Sequence, residues 1–200
     1  HDCFRREFNQ TWRDDVRRMG DLVDLAVVTG DLSYINRENA DKDLGDVRKF
    51  TDAFPVPMFH APGNHDLADI HTPAWNEPHD LAGNGGFTKH LGPVRWSFDY
   101  AGVHLVGIDW ARPVGRTLET GMPNVAVEWL ERDLARLPRG TRTFLFAHQF
   151  WSPHPKLLKL CRKHDVELLL GGHSHRNMDL SAGNVKMITT MSLSKLLHIY

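Results

Sequence analysis

Cysteine is scarce in this chain: Cys3 and Cys161 are the only two among 200 residues. Two such distant cysteines build no disulfide framework, and no Cys-x-x-Cys pair is present for metal binding or thiol redox chemistry. Long apolar runs are missing as well. No stretch approaches the roughly 20 residues of a membrane-spanning helix, and no secretory leader pattern opens the chain, so the sequence as it stands reads as soluble. An excess of one charge is also missing. With 24 Lys and Arg against 25 Asp and Glu the formal net charge is −1, and the basic residues are scattered, which leaves no footprint of nucleic-acid or anionic-membrane binding. The length suits one compact domain over residues 1–200. What the chain does have is histidine, 13 in all. Several stand beside Gly, Asp or Asn where strand-like runs stop, a distribution that points to metal binding.

The hydrophobic pattern alternates between two periods. Phe4, Phe8, Trp12, Val16, Met19 and Val23 recur at helical spacing, and the Val-rich run Asp24 to Thr29 reads as a strand closed by Gly30 and Asp31. Leu44, Val47, Phe50 and Phe54 predict a second helix halted near Pro55. Val56 to Ala61 is then a strand in spite of Pro57, closed by Pro62-Gly63-Asn64-His65-Asp66. Residues 67 to about 91, rich in His, Pro, Asn and Gly, read as a long ordered loop. Val94 to Tyr100 and Val103 to Asp109 flank Ala101-Gly102 as a β-hairpin. Val127, Leu130, Leu134 and Leu137 mark a helix ending at Pro138, and Thr141 to Ala147 a strand that stops at His148. A short helix at Leu157, Leu158 and Cys161, a strand at Val166 to Leu170 and the turn Gly171-Gly172-His173-Ser174-His175 follow. The regions from Val185 to Ser192 and from Leu196 to Tyr200 read as β. Strands alternating with helices predict an α/β fold with a largely buried sheet.

In such sheets functional side chains gather beyond the carboxyl ends of the strands. Four of these loops carry Asp31, Asn64, His148, His173 and His175, a mixed set of carboxylate, amide and imidazole donors suited to Zn, Mn or Fe rather than Ca. A two-metal centre needs a bridging anion, for which Asp31 is the candidate, and it activates water to attack phosphorus without a protein nucleophile. His65 follows Asn64 directly and is read as the general acid for the leaving group, with Asp66 accepting a hydrogen bond from its ring.

Gly30-Asp31, Gly63-Asn64-His65-Asp66, the isolated His148 and Gly172-His173-Ser174-His175 together resemble the calcineurin-like metallophosphoesterase superfamily, over nearly the whole chain. The resemblance implies a four-layer αββα sandwich with two mixed β-sheets and a binuclear site at the sheet edges. Carried over by position, it implies that Asp31 bridges two ions, divalent or mixed-valence Fe, Mn or Zn. Asn64, His148 and His173 bind the second ion and His175 the first. Members usually open with Asp-x-His about thirty residues before Gly-Asp. His1 is accordingly read as the end of that motif, with the first strand and its Asp lying upstream of residue 1. Gly30-Asp31-Leu32-Ser33-Tyr34 resembles the purple acid phosphatase segment that supplies a tyrosinate, which makes Tyr34 a candidate ligand and favours Fe(III).

Other residues have plainer readings. His60, His104 and His198 sit inside strand patterns and read as structural, and His71, His79, His90 and His154 as solvated loop residues. Trp75, Trp110 and Trp151 are candidates for the pocket wall, Trp12, Trp96 and Trp129 for the core. The expected activity is hydrolysis of a small-molecule phosphoester or phosphoprotein, as a phosphomonoesterase or phosphodiesterase. The alternatives are a cyclic-nucleotide phosphodiesterase and a non-catalytic binding scaffold.

Overall fold

The structure is a computed structural model. It describes residues 17, 18, 20, 22–33, 39–67, 84–110, 112–114, 117–119, 122–150 and 155–191. Of the expected first helix, residues 17, 18 and 20 are described and are helical. His1, Tyr34, His71, Trp75, His79, Trp151, His154 and His198 lie outside the described residues, as do Trp12 and the expected strand at Leu196 to Tyr200.

The first sheet, among the described residues, is the parallel pair β1 (Ala26–Val28) and β2 (Met58–His60), joined by helix α1 (Ala40–Asp52). Leu44 and Val47 lie on the buried face of α1, as their helical spacing predicts. Pro57 causes no break because it precedes β2, and its carbonyl accepts a hydrogen bond from Ala26 N at 2.9 Å. The expected loop before Leu91 instead contains helix α2 (Gly85–Leu91). Two glycines make a poor helix start, but Phe87 is fully buried and Leu91 packs on Ala40 and Leu44 of α1. Tertiary burial outweighs the local preference.

The second sheet is mixed and six-stranded, in the order β3 (Trp96–Tyr100), β4 (Val103–Gly107), β7 (Arg142–Phe146), β8 (Leu168–Gly171), β10 (Lys186–Thr189), β9 (Met178–Asp179). β3 and β4 form the expected hairpin. Ala101 and Gly102 both take positive φ, 49° and 80°, as the right-handed twist of a two-residue turn requires. Helix α3 (Asn124–Leu134) precedes β7, and α4 (Pro155–Lys163) precedes β8. The short hairpin β5 (Arg112–Val114) and β6 (Thr117–Glu119) lies outside both sheets and has no counterpart in the sequence reading.

Period-two alternation sorts the second sheet into two faces. Val106, Leu145, Leu169 and Met187 pack with Val127 and Leu130 of α3 and with Leu157 and Leu160 of α4, each buried leucine contributing on the order of 2–3 kcal/mol. The opposite face carries Trp96 and Phe98, whose rings lie 5.4 and 4.3 Å from Phe59 of β2, and Phe146, whose ring is 6.2 Å from Trp96. Trp96 reaches across and donates its indole N–H to the His60 carbonyl at 2.8 Å. The two sheets therefore face each other between the helices, in a metallophosphoesterase-like sandwich. Continuing the alternation past Phe144 and Phe146, His148 turns toward the first sheet.

His104 proves structural, as expected, and is held between two carboxylates. Its Nδ1 is 2.6 Å from Asp99 and its Nε2 2.9 Å from Asp133 of α3. Burial opposes the cation, yet the bonds to Asp133 and Asp99 outweigh it and hold the imidazole above its ordinary value of 6.5. A raised folded value stabilises fully below the unfolded value and is lost as pH rises through the folded one. His104→Gln should therefore lower the melting temperature most below about pH 6.5 and progressively less as pH rises through the raised folded value. The loss should be about 1 kcal/mol, because Asp99 is largely solvated and screens its share.

Candidate metal centre

Four loops deliver their polar side chains to one point between the sheets. His148, at the end of β7, is 1 % exposed, and its Nδ1 lies 2.7 Å from the Thr29 carbonyl at the end of β1. A carbonyl only accepts, so Nδ1 carries the hydrogen and donates. In the neutral ring this leaves the Nε2 lone pair facing inward. Around Nε2 stand Asp31 Oδ2 at 3.1 Å, Asn64 Oδ1 at 3.1 Å and His173 Nδ1 at 2.9 Å.

A single proton on Nε2 satisfies only part of this set, whereas a cation draws on all four lone pairs at once. Separations near 3 Å suit ligands sharing one ion through bonds of about 2.1 Å. The Asp31, His148 and His173 ligand atoms lie within 4.8 Å of one another. The donor set fits a borderline transition metal, with oxygen and imidazole nitrogen and no thiolate. His175 is described but stands outside this tight group of three. It lies close enough for its charge to disfavour a charged His173.

Charge follows geometry. For Asp31, burial works against ionisation, but the hydrogen bond and charge of His148 and the His65 amide, 3.0 Å from Oδ1, hold it below the ordinary carboxylate value. For His148, burial opposes protonation and Asp31 favours it, with a net upward shift. His173 is held below its ordinary value by burial and then by His148, so it presents a neutral ring. A metal ion held by this group would require His148 Nε2 to be free of a proton, so its binding would compete with protonation of the Asp31–His148 pair.

The backbone is held in an unfavourable form where these ligands sit. Asp31, His173 and His175 have φ of 58°, 61° and 54°, the left-handed region, in which a non-glycine residue costs on the order of 1–3 kcal/mol. Gly30 and Gly63 let the two loops of the first sheet cross. A Cβ on Gly63 would overlap the Asp31 carboxylate and backbone nitrogen, and one on Gly30 would lie 2.6 Å from Gly63 N.

Asp66 holds that crossing together from within. Its fully buried carboxylate accepts from Gly63 N and Asp31 N at 2.8 Å each and from Ser33 N at 3.1 Å. Burial, then the nearby Asp31 charge, push the carboxyl up to about 7 against the pull of those amides. The expected partner was the His65 ring. These Asp66 bonds run to backbone donors, because the left-handed turn at Asp31 aims its amide inward. Gly-Asn-x-Asp spacing shows only that a carboxylate is near the turn.

Trp110, just beyond β4, lies nearly parallel to the His173 ring, at 20° and 6.4 Å between centroids. It is half-buried at the site's edge, where the sequence reading put a pocket wall. The Thr29 carbonyl that orients His148 escaped that reading, since a backbone acceptor carries no side-chain signal.

The family model for calcineurin-like phosphoesterases matches residues 2–177. No curated relative matches the sequence. Among solved structures, the chain is similar to a purple acid phosphatase isolated from yellow lupin (Lupinus luteus) seeds, at 16% identity and TM-score 0.59, covering 88% of this chain and 38% of that one. It is also similar to GAP50, the anchor in the inner membrane complex of Plasmodium, at 15% identity and TM-score 0.55, covering 90% and 64%. A third is phosphopantetheinyl hydrolase from Mycobacterium tuberculosis, at 13% identity and TM-score 0.52, covering 88% and 82%. The chain thus spans less than two thirds of the length of the first two, and the likeness extends to the fold.

Proposed function

The chain belongs to the calcineurin-like phosphoesterase family, and from that premise we propose that it is the metal-binding, hydrolytic part of a binuclear phosphoesterase acting on phosphomonoesters or phosphodiesters. The convergence of Asp31, Asn64, His148 and His173 on one point carries this reading. Two ions of Fe, Mn or Zn bound there would supply Lewis acidity toward phosphoryl oxygens and water acidic enough to attack phosphorus near neutral pH.

The chain's own residues divide the remaining work. Asp31 offers Oδ2 to the cluster and keeps Oδ1 on the His65 amide, which suits a bridge between two ions. Asn64, His148 and His173 would hold the second ion, while His175, with His1 and Tyr34, would serve the first. His65, one residue past a ligand, is placed in sequence to give a proton to the departing oxygen. Asp66 fixes the Asp31 and Gly63 loops and so sets where His65 stands. A scaffold like the Plasmodium anchor remains the non-enzymatic alternative, but the strain stored at Asp31, His173 and His175 favours chemistry.

The test is metal analysis with turnover of aryl phosphomonoesters, aryl diesters and cyclic nucleotides by the full-length protein. Stripping with chelator should abolish turnover and Mn, Zn or Fe should restore it. Full activity after stripping, or no hydrolysis of any ester by metal-loaded protein, would refute the reading. Cyclic nucleotides turned over far faster than aryl esters would shift it to the cyclic-nucleotide alternative.

A further inference from the structure

The loop that carries His173 and His175 leaves β8, passes over the end of β10 and returns as β9, because β10 lies between those two strands. Thr189, the last residue of β10, sits beneath this arch, paired in register with Gly171 on one side and Met178 on the other, and is 1 % exposed. Its hydroxyl donates to the Arg176 carbonyl at 2.9 Å. Arg176 N donates to Ser174 Oγ at 3.3 Å, and the Ser174 hydroxyl lies 3.2 Å from Thr189 Oγ1, toward which it can donate. The Ser174 hydroxyl also lies 3.1 Å from the Arg176 carbonyl, so the two hydroxyls and that carbonyl form one cluster in which Thr189 bonds Arg176 and Ser174 offers its single proton to either oxygen.

Ser174 is the residue between the two imidazoles, both at positive φ. A backbone held in that region persists only where its surroundings over-determine it, and this cluster adds to the backbone bonds from Ser174 N to the Gly172 carbonyl and from Gly172 N to the His148 carbonyl. Thr190 adds a second tie, with its backbone N donating to the Gly171 carbonyl at 2.8 Å and its hydroxyl to the same oxygen at 3.2 Å.

We propose that Thr189 is a positioning residue for the metal centre: through Ser174 and Arg176 it fixes the conformation of the histidine loop and thereby the separation of His173 from His148. The proposal rests on the metal-centre reading above. Thr189 touches neither metal nor substrate, and its effect passes wholly through the loop. Valine at this position keeps the shape and removes the hydroxyl, so Ser174 and the Arg176 carbonyl can bond only each other and the loop loses its side-chain tie to buried Thr189 of β10.

The test is Mn(II) titration of the full-length protein, following free Mn(II) by electron paramagnetic resonance, with a thermal melt of each metal-free variant alongside. Thr189→Val should weaken Mn(II) binding about 10–100-fold, the range for residues that orient metal ligands. Thr189→Ser, which keeps the hydroxyl, should retain wild-type affinity. Ser174→Ala breaks the same cluster from the exposed side and should reproduce the loss, and it decides the matter if Thr189→Val does not fold. A lower melting temperature with unchanged Mn(II) affinity would assign Thr189 to packing alone and overturn the proposal. Failure of Thr189→Ser to rescue would do the same. Wild-type protein that binds no Mn(II) would instead remove the metal-centre reading, and the proposal with it.

Discussion

Asp31→Asn should lower kcat/KM for any phosphoester turned over by the full-length protein on the order of 10³-fold, while leaving the fold intact. The amide is nearly isosteric, and its oxygen can still accept from the His65 N–H that now bonds Oδ1 at 3.0 Å. What disappears is the negative charge 3.1 Å from His148 Nε2, the only carboxylate in the tight donor group. Metal affinity should fall with it. Steady-state rates and a Mn(II) titration on the same samples separate this result from unfolding. Rates within a few-fold of wild type would remove Asp31 from the centre.

Gly63→Ala should be strongly destabilising and should cost metal binding as well. Gly63 has φ of −95° and ψ of 174°, extended backbone that alanine adopts freely, so the cost is wholly steric. The added methyl meets Asp31 backbone as well as its carboxylate, and a backbone nitrogen cannot swing away as a side-chain tip can. Separating the loops would also break the three amide bonds to Asp66. A loss of about 2–4 kcal/mol is expected, which at this size lowers the melting temperature by roughly 5–15 °C, with metal binding lost as well. Gly45→Ala is the control. Gly45 lies in α1, where the nearest atom to an added methyl is His90 Cε1 at 3.6 Å, and helix propensity there favours alanine by about 1 kcal/mol. Equal melting temperatures for the two variants would refute the crossing as described.

Much of this architecture could be read from residue patterns, because the signals are local. Short apolar runs ending near Asp31, Asn64, His148 and His173 place each beyond a strand terminus, and parallel pairing of β1 with β2 and of β7 with β8 brings those ends together in each sheet. The unread parts are of two kinds. Helix α2 and the β5–β6 hairpin contradict local preference, the first through Gly85 and Gly86, the second through Pro113 within a strand. Contacts made at a distance decide such elements. The others are hydrogen bonds across long separations: Asp66 to Asp31, 35 positions apart, and Thr189 to Arg176, 13 apart. An Asp in a turn and a Thr in a strand each satisfy ordinary roles, so nothing in the chain's order marks them as supports for a ligand set.

The backbone bond from Met122 N to the Trp110 carbonyl, 3.0 Å long, closes the chain on itself just where the β5–β6 hairpin departs from the rim beside His173. The hairpin is tied off at its base, and loop-closure cost grows only slowly with length. Residues between 110 and 122 can therefore be lengthened, shortened or replaced without shifting β4 or the histidines next to it. Variation in this segment is thereby uncoupled from the ligand set, so the rim can diverge in sequence and length while Asp31, His148 and His173 keep their places.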